Sequence, residues 1–267
     1  MEQYIVAAIG GTVKVLSLNW EAKKFAVHAF LFSGLYVSSL SSIHNILLLG
    51  DLHRSITLAR FVEAEHIVEV LARHSADVSV VANGFAYRGD NAGFLVTDDQ
   101  RHLLCLGYQP QVRADGKVKE TRLSLESGCR VAGGSIASLT PMRCVGADGV
   151  TWADQNKVLY TTNYGEIGFV LPVSEQDFRI LQWLSKRLNN DVAHAGGLPP
   201  ALFHAMDPSD RGNSLLPRQR IISTSLLEQL QQQFHRGEKS AICAGAGTTV
   251  ERVQSLMCGL KEEGSLH

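Results

Sequence analysis

Cysteine is scarce in this sequence, and its spacing excludes the usual cysteine-based sites. The 267 residues contain five cysteines, and no two of them form a Cys-x-x-Cys pair. They are Cys105, Cys129, Cys144, Cys243 and Cys258. An odd number of widely separated cysteines argues against both a disulfide framework and a ribbon-type zinc site. The pattern is typical of a protein in a reducing compartment.

An excess of charge of either sign is also missing. Lys and Arg number 25 against 26 for Asp and Glu, which gives a net charge of −1. Such a chain has no overall electrostatic field that attracts polyanions. Any contact with nucleic acid must therefore come from a local patch of basic residues.

Long hydrophobic runs do not occur either. No apolar stretch approaches the ~18 residues that a membrane-spanning helix needs. The acidic first residues and the short apolar run after them do not resemble a signal peptide. We therefore expect a cytosolic or nuclear protein that does not bind a membrane.

The first two thirds of the chain contain a recurrent pair of short apolar strands joined by a polar turn. The pair occurs at 4–18, 46–61, 94–108 and 158–172. The first three turns begin at Gly11, Asp51 and Asp98, which lie 40 and 47 residues apart. This spacing is close to the ~40–50 residues of a four-stranded propeller blade. The fourth turn follows at Tyr164, 66 residues after Asp98, and we attribute the excess to exposed connections at 109–119 and 143–156.

Further strands are expected between these hairpins, and together they predict a partial β-propeller. The additional candidates are 25–32, 36–40, 66–71, 78–82 and 122–125. Roughly fourteen strands make about three and a half antiparallel blades, whereas a closed propeller has at least about four. Because an unclosed ring leaves unpaired edges, we expect residues 1–172 to be the C-terminal blades of a larger propeller, with Met1 inside the architecture.

After residue 172 the hydrophobic period changes to that of α-helices, which predicts a small helical domain over 173–267. Residues 174–177 resemble a capping box, and an apolar stripe follows before the glycines at 196–197. The stripe consists of Phe178, Leu181, Leu184, Leu188 and Val192. A second helix is predicted over 224–234, and a third begins with Thr248 as its cap. The apolar face of the third helix consists of Val250, Val253, Leu256, Met257 and Leu260.

The first of these helices carries the candidate partner surface. Ile180 and Trp183 fall outside the apolar stripe, next to the polar residues Arg179 and Lys186. Either other helices cover this second face, or Trp183 anchors a partner, as large aromatic residues do at interfaces. Lys186 and Arg187 are candidates for contact with RNA phosphate, although two adjacent basic residues are usually solvated surface.

Two glycine-rich segments resemble functional motifs but lack essential parts of them. Ser135 lies in a sequence similar to a nucleophile elbow, yet a strand is expected after it where the elbow requires a helix. Residues 245–250 open a helix, but they lack the third glycine and the preceding strand of a dinucleotide-binding turn. We therefore predict no catalytic residue and no cofactor.

The histidines and the turn aspartates also have structural interpretations. His102 and Cys105 lie three residues apart on a strand, so they point to opposite faces and cannot share a metal ion. We predict no metal site. Asp51, Asp98 and Asp99 lie at tight turns, where a carboxylate accepts backbone N–H groups. Asparagine and aspartate are common at such turns because their side chains imitate a backbone acceptor.

Five segments in chain order resemble motifs of one family, the large propeller subunit of the cleavage and polyadenylation specificity factor. They are 46–58 (ILLLGDLHRSITL), 93–98 (GFLVTD), 160–168 (YTTNYGEIG), 178–188 (FRILQWLSKRL) and 246–253 (AGTTVERV). Two other large propeller subunits share this region, that of the damaged-DNA-binding complex and that of a spliceosomal complex. Segment 46–58 fits the damaged-DNA-binding subunit as well, while 178–188 and 246–253 favour the polyadenylation factor. Segments 111–122 and 143–156 depart from the family pattern.

The resemblance implies a nuclear, non-catalytic scaffold made of propellers and a helical C-terminal domain. In the polyadenylation factor, such a subunit assembles a WD-type propeller subunit and a zinc-finger subunit that read the AAUAAA signal, and other subunits perform the chemistry. RNA contact, direct or indirect, is part of this expectation. The alternatives are an adaptor of a cullin ubiquitin ligase that binds damaged DNA and a spliceosomal scaffold.

Overall fold

The structure is a computed structural model, and it describes residues 4–88, 91–112, 118–131, 134–145, 151–191, 221–222 and 242–263. Most of these residues lie in antiparallel strands. The strands are β1 (Ile5–Ile9), β2 (Thr12–Asn19), β3 (Lys24–Phe32), β4 (Val37–Ile43), β5 (Ile46–Asp51), β6 (Ser55–Val62), β7 (Ile67–His74), β8 (Val80–Arg88), β9 (Asn91–Asp98), β10 (His102–Gly107), β11 (Gln111–Val112), β12 (Val118–Lys119), β13 (Thr121–Arg130), β14 (Ile136–Val145), β15 (Thr151–Thr162) and β16 (Ile167–Val170). A short 3-10 helix (Glu63–Glu65) joins β6 to β7, and the helices α1 (Glu175–Asp191) and α2 (Val250–Glu263) follow the strands.

The strands form four consecutive blades. Blade I contains β1, β2 and β3, and blade II contains β4, β5, β6 and β7. Blade III contains β8, β9, β10 and β13, and blade IV contains β14, β15 and β16. Every pairing within a blade is antiparallel. The repeated hairpins of the sequence are β1–β2, β5–β6, β9–β10 and β15–β16, so the predicted partial propeller followed by helices is confirmed.

Neighbouring blades pack face to face. The Oγ–H groups of Ser38 and Ser41 in β4 donate to the carbonyl oxygens of Val80 and Asn83 in β8, at 2.6 and 2.9 Å. At the opposite edge, β7 and β13 pair in parallel over three residues. The eight strands of blades II and III therefore form a nearly closed ring, and the space between the two blades is filled by an apolar cluster.

The period of two along the strands explains how one blade packs against both neighbouring blades. In β5, Leu47 and Leu49 belong to a cluster with Val13 of blade I. The intervening Leu48 belongs to a cluster with Phe94 of blade III. Because successive side chains of a strand point to opposite faces, a continuous apolar run buries both faces of the blade. The run Leu-Leu-Leu is thus the sequence of a strand between two blades.

The hairpin of blade IV corrects one prediction. Residues 143–156 were expected to form an exposed connection, but β14 extends to Val145 and β15 begins at Thr151. Gln155 and Asn156 are buried, since the Asn156 side chain bonds to the main chain of β8. The asparagine that resembled a turn residue therefore joins two blades. In the other expected connection, 109–119, the described residues pair as the two-residue strands β11 and β12.

Ser174 caps the first helix as predicted, but the Asp177 carboxylate bonds to the serine hydroxyl and not to the serine backbone N–H that a full capping box uses. The Asp177 N–H donates to Ser174 Oγ at 3.2 Å, and the Ser174 hydroxyl donates to Asp177 Oδ2 at 2.6 Å. Leu181, Leu184 and Leu188 of the predicted stripe are buried in one cluster. Val192, the glycines at 196–197 and the helix predicted over 224–234 lie outside the described residues.

Helix α2 packs its apolar face on α1, as its sequence predicts. Val253 and Met257 are buried against the α1 leucines, and the other three apolar residues pack around them. The cap differs from the prediction by one residue, because the Arg252 N–H donates to Thr249 Oγ1 at 3.2 Å. Within the part of the chain that the structure describes, no helix has the length and apolar character to span a membrane.

Candidate partner-binding surface

The turn of blade II, which carries the family-like motif, is organised by one carboxylate. Asp51 Oδ1 accepts the N–H groups of His53 and Arg54, at 2.9 and 3.0 Å. Its Oδ2 accepts those of Leu35 and Tyr36, both at 3.0 Å, from the segment that enters β4. Burial opposes ionisation of this side chain, but the four N–H donors outweigh it and hold the pKa of Asp51 below its usual value. The predicted role of Asp51 is confirmed, and it also ties the turn to the preceding connection.

An aspartate also accepts main-chain N–H groups in the turn of blade III. Asp98 Oδ1 accepts the N–H groups of Gln100 and His102, at 2.9 and 2.8 Å. Its Oδ2 lies 2.7 Å from His102 Nδ1. Asp99 has a different contact, because its carboxylate accepts the side-chain amide of Gln100 at 3.4 Å. The two turns use aspartate to hold a hairpin, as the sequence indicated for Asp51 and Asp98.

Ser135, the candidate from the glycine-rich segment, and other serine, histidine and cysteine side chains make structural contacts. The Ser135 hydroxyl donates to the Asp99 main-chain oxygen at 3.3 Å, and β14 follows it directly. Ser55 Oγ lies 2.8 Å from His74 Nδ1, and burial lowers the pKa of that histidine. Among the described residues, no group of three or more His, Cys, Asp and Glu side chains is placed to hold a metal ion. Cys129 is half-buried, and this desolvation raises the pKa of its thiol to about 11 and keeps it protonated.

A polar cleft of about 790 Å³ lies where β7 meets β13. Arg73, His74, Glu120 and Arg122 are among its lining residues. Arg73 Nε donates to Glu120 Oε1 at 3.1 Å, so one of these arginines is paired with a carboxylate within the lining. The described lining residues are all polar or charged, so none of them offers the large apolar side chain that commonly anchors a protein partner.

The predicted partner residues on α1 lie in two environments. Ile180 packs against the cluster between α1 and α2, so it contributes to the helical core. Trp183 is 36% exposed, and its ring lies over Gly245, where an added β-carbon would be 2.6 Å from Trp183 Cη2. The segment before α2 therefore covers part of the indole ring, while about a third of the side chain stays exposed.

The charged residues of the same helix lie on its exposed side. Arg179 forms an ion pair with Glu175 at 2.5 Å, one helical turn earlier. Lys186 and Arg187 are exposed. The structure thus brings Arg179, Trp183 and Lys186 together on the accessible side of α1, while Ile180 lies at its margin.

The sequence reading missed a group of exposed apolar side chains on blade I. Phe25, Val27, Phe30 and Phe32 of β3 are all exposed. A strict period of two assigns 25 and 27 to one face and 30 and 32 to the other. A β-bulge, recorded as a register shift between Val15 and Leu16 of the paired strand, brings all four to the same face. The four large apolar residues within eight positions were the only available signal.

The chain was compared with known proteins. The family model described as the CPSF A subunit region matches residues 1–232. The probable cleavage and polyadenylation specificity factor subunit 1 of Oryza sativa subsp. japonica is 24% identical over 244 residues, which cover 91% of this chain and 17% of the relative. The protein cft1 of Schizosaccharomyces pombe is 24% identical over 255 residues, covering 94% and 17%. Cleavage and polyadenylation specificity factor subunit 1 of Arabidopsis thaliana is 27% identical over 216 residues, covering 80% and 15%. The chain therefore spans less than a fifth of the length of these curated relatives.

Proposed function

The chain belongs to the CPSF A subunit family, and we propose that it acts as a non-catalytic scaffold in the cleavage and polyadenylation of pre-mRNA 3′ ends. The observation that carries the proposal is the family match, because it extends through all four blades and α1. The names of the similar proteins from rice, Arabidopsis and fruit fly describe a cleavage and polyadenylation specificity factor.

The contacts of the polar side chains support a scaffold. The aspartates, serines and histidines at the turns bond to the main chain or to each other, which stabilises hairpins. A scaffold binds through preformed surfaces in which a few partly buried anchors supply most of the binding energy. The accessible side of α1, with Trp183 between Arg179 and Lys186, has this composition.

The proposal includes partners, location and domain organisation. We propose a nuclear protein with two domains, the blades at 1–172 and a helical domain at 173–267. Its partners are other subunits of the 3′-end processing complex, including a WD-type propeller subunit and a zinc-finger subunit. RNA is reached through these partners or through Lys186 and Arg187 on α1.

Depletion of the protein in its own cells tests the proposal. We expect a genome-wide shift of poly(A) sites and transcripts that continue past their normal ends. Expression of the full-length wild-type gene should restore the normal 3′ ends. The measurement is sequencing of RNA 3′ ends. Unchanged 3′ ends with slower turnover of ubiquitin-ligase substrates would assign the protein to the adaptor alternative, and retained introns would assign it to the spliceosomal one.

Trp183→Ala tests the partner surface on α1. We expect the substitution to weaken the binding of the processing subunits, followed by co-purification, by more than about 1 kcal/mol, because the exposed part of the ring is the anchor. The change in thermal stability should be small. Trp20→Ala, which removes an exposed tryptophan from the turn between β2 and β3 of blade I, is the control, and Gly245→Ala displaces the ring of Trp183 without removing it. A large loss of stability in Trp183→Ala with unchanged co-purification would make the residue part of the fold.

A further inference from the structure

The polar cleft between blades II and III has two arginines side by side. In the short parallel ladder of β7 and β13, Arg73 and Arg122 are directly paired. Paired residues of neighbouring strands point to the same face of a sheet, and the two strands lie about 4.8 Å apart. Both side chains line the cleft. Like charges at directly opposite positions destabilise a sheet, so this pair is unfavourable unless an anion binds between the two side chains.

Only part of the positive charge of this pair is compensated within the molecule. Arg73 Nε donates to Glu120 Oε1 at 3.1 Å. Among the described residues, the two terminal nitrogens of Arg73 have no partner, and the exposed Arg122 has neither an ion pair nor a side-chain hydrogen bond. His74 adds no charge at neutral pH, because burial lowers its pKa. The described lining therefore contains two cations and one anion, and one guanidinium is available for an external anion.

The pairing of the two guanidinium groups favours a phosphate over a carboxylate as this anion. Each guanidinium presents a planar fork of N–H donors that bonds to two oxygens at once. A carboxylate has two oxygens, and one such fork satisfies it. A phosphate monoester has three terminal oxygens and carries nearly two negative charges at neutral pH, so it can bond to both guanidinium groups together.

The other side chains of the cleft favour a protein segment as the carrier of the phosphate. Gln109 and Gln111 each provide an amide with donors and an acceptor, and Ser75 and Ser124 provide hydroxyl groups. Such groups can bond to the main chain of an extended peptide. No lining residue that the structure describes is aromatic, so the bases of single-stranded RNA would have no ring on which to stack. The volume of about 790 Å³ lies within the range of sites that enclose small ligands.

From the paired arginines, the uncompensated charge and the polar lining, we infer that the cleft between β7 and β13 binds a phosphorylated serine or threonine in an extended, hydrophilic protein segment. The phosphate lies between Arg73 and Arg122, and Glu120 is a positioning residue that orients the guanidinium of Arg73. The unmodified hydroxyl group cannot bond to both arginines, so phosphorylation of the partner controls binding. This binding goes beyond the proposed function and does not depend on it.

Two immobilised peptide libraries of the same degenerate sequence test this inference, one with phosphoserine at the central position and one with serine. The full-length protein is applied to both in phosphate-free buffer, and the retained amount is measured. We expect at least about tenfold more retention on the phosphoserine library, because hydrogen bonds between charged groups are among the strongest in proteins. Equal retention on the two libraries would overturn the inference. So would release of the bound protein by single-stranded RNA at a lower concentration than by the free phosphoserine peptides, which would assign the cleft to nucleic acid.

Substitutions locate the binding in the cleft. Arg122→Gln and Arg73→Gln should each reduce retention on the phosphoserine library to the level of the serine library. Arg143→Gln, which removes an exposed arginine from β14 of blade IV, is the matched control and should leave retention unchanged. Arg122→Gln should not lower the midpoint of thermal unfolding, because it removes one of two like charges. Full retention by Arg122→Gln, an equal loss in Arg143→Gln, or a lower midpoint in Arg122→Gln would overturn the inference.

Discussion

Asp51→Asn lowers the free energy of unfolding by about 3 kcal/mol at neutral pH, because a buried carboxylate loses charge-assisted hydrogen bonds to main-chain N–H groups. The substitution places an NH₂ group against two of the four N–H groups that the carboxylate accepts. At least one pair of part-buried N–H donors then lacks its acceptor. Chemical denaturation monitored by tryptophan fluorescence or circular dichroism measures the difference.

The effect of Asp51→Asn depends on pH in a defined direction. The pKa of Asp51 in the folded chain lies below its ordinary value of 3.8, because the N–H donors outweigh the cost of burial. The carboxylate therefore contributes stability that is complete above the unfolded-state pKa and is lost as the pH falls through the folded-state pKa. We expect the difference between wild type and variant to be largest at neutral pH and to shrink below about pH 4.

Asp99→Asn is the matched control for this substitution. Asp99 also lies in a hairpin turn, but it is exposed and its carboxylate accepts a single side-chain amide. Its replacement should change the free energy of unfolding by less than about 0.5 kcal/mol. A similar loss in both variants, or a loss at Asp51 that does not vary with pH, would contradict the assignment of the carboxylate as the acceptor of the turn.

The hairpins and the first helix were predictable because their signals are local. The spacing of Gly11, Asp51 and Asp98 located the turns, and an aspartate in a turn commonly accepts main-chain N–H groups. The same holds for α1, whose capping serine and apolar stripe are encoded within a few turns of helix. Interactions between residues three or four positions apart can be read from the sequence without knowledge of the rest of the fold.

The missed surface of blade I and the environment of Trp183 both depend on contacts that are not local. The bulge in β3 changes the face on which Phe25 and Val27 lie, and nothing in the β3 sequence marks it. The environment of Trp183 depends on Gly245, sixty-two residues later in the chain. A pattern of hydrophobic residues gives the two faces of an element, but contacts with other elements decide which face is buried.

The largest disagreement with the sequence, at residues 143–156, has the same origin and leads to the second prediction. Asn156 looked like a loop residue because asparagine favours turns. In the structure its Oδ1 accepts the Tyr87 N–H and its Nδ2 donates to the Phe85 carbonyl oxygen, both at 2.7 Å. One amide thus satisfies a donor and an acceptor of β8, two residues apart. Blades III and IV pair through their main chains at a single residue pair, so this side chain supplies hydrogen bonds where a backbone ladder is missing.

Asn156→Ala therefore leaves two backbone groups of β8 without this partner, each at a cost of about 1–3 kcal/mol when buried, so we expect a total loss near 3 kcal/mol. Asn156→Asp should lose about as much, because its Oδ2 would face the Phe85 carbonyl oxygen where Nδ2 now donates. Asn45→Ala, at an exposed turn position in blade II, is the control and should change stability by less than about 0.5 kcal/mol. Equilibrium unfolding in urea gives all three values. Equal stability of Asn156→Ala and Asn45→Ala would mean that the amide does not hold the blades together. In that case, the packing of Val158 and Ile136 against blade III would be sufficient to join them.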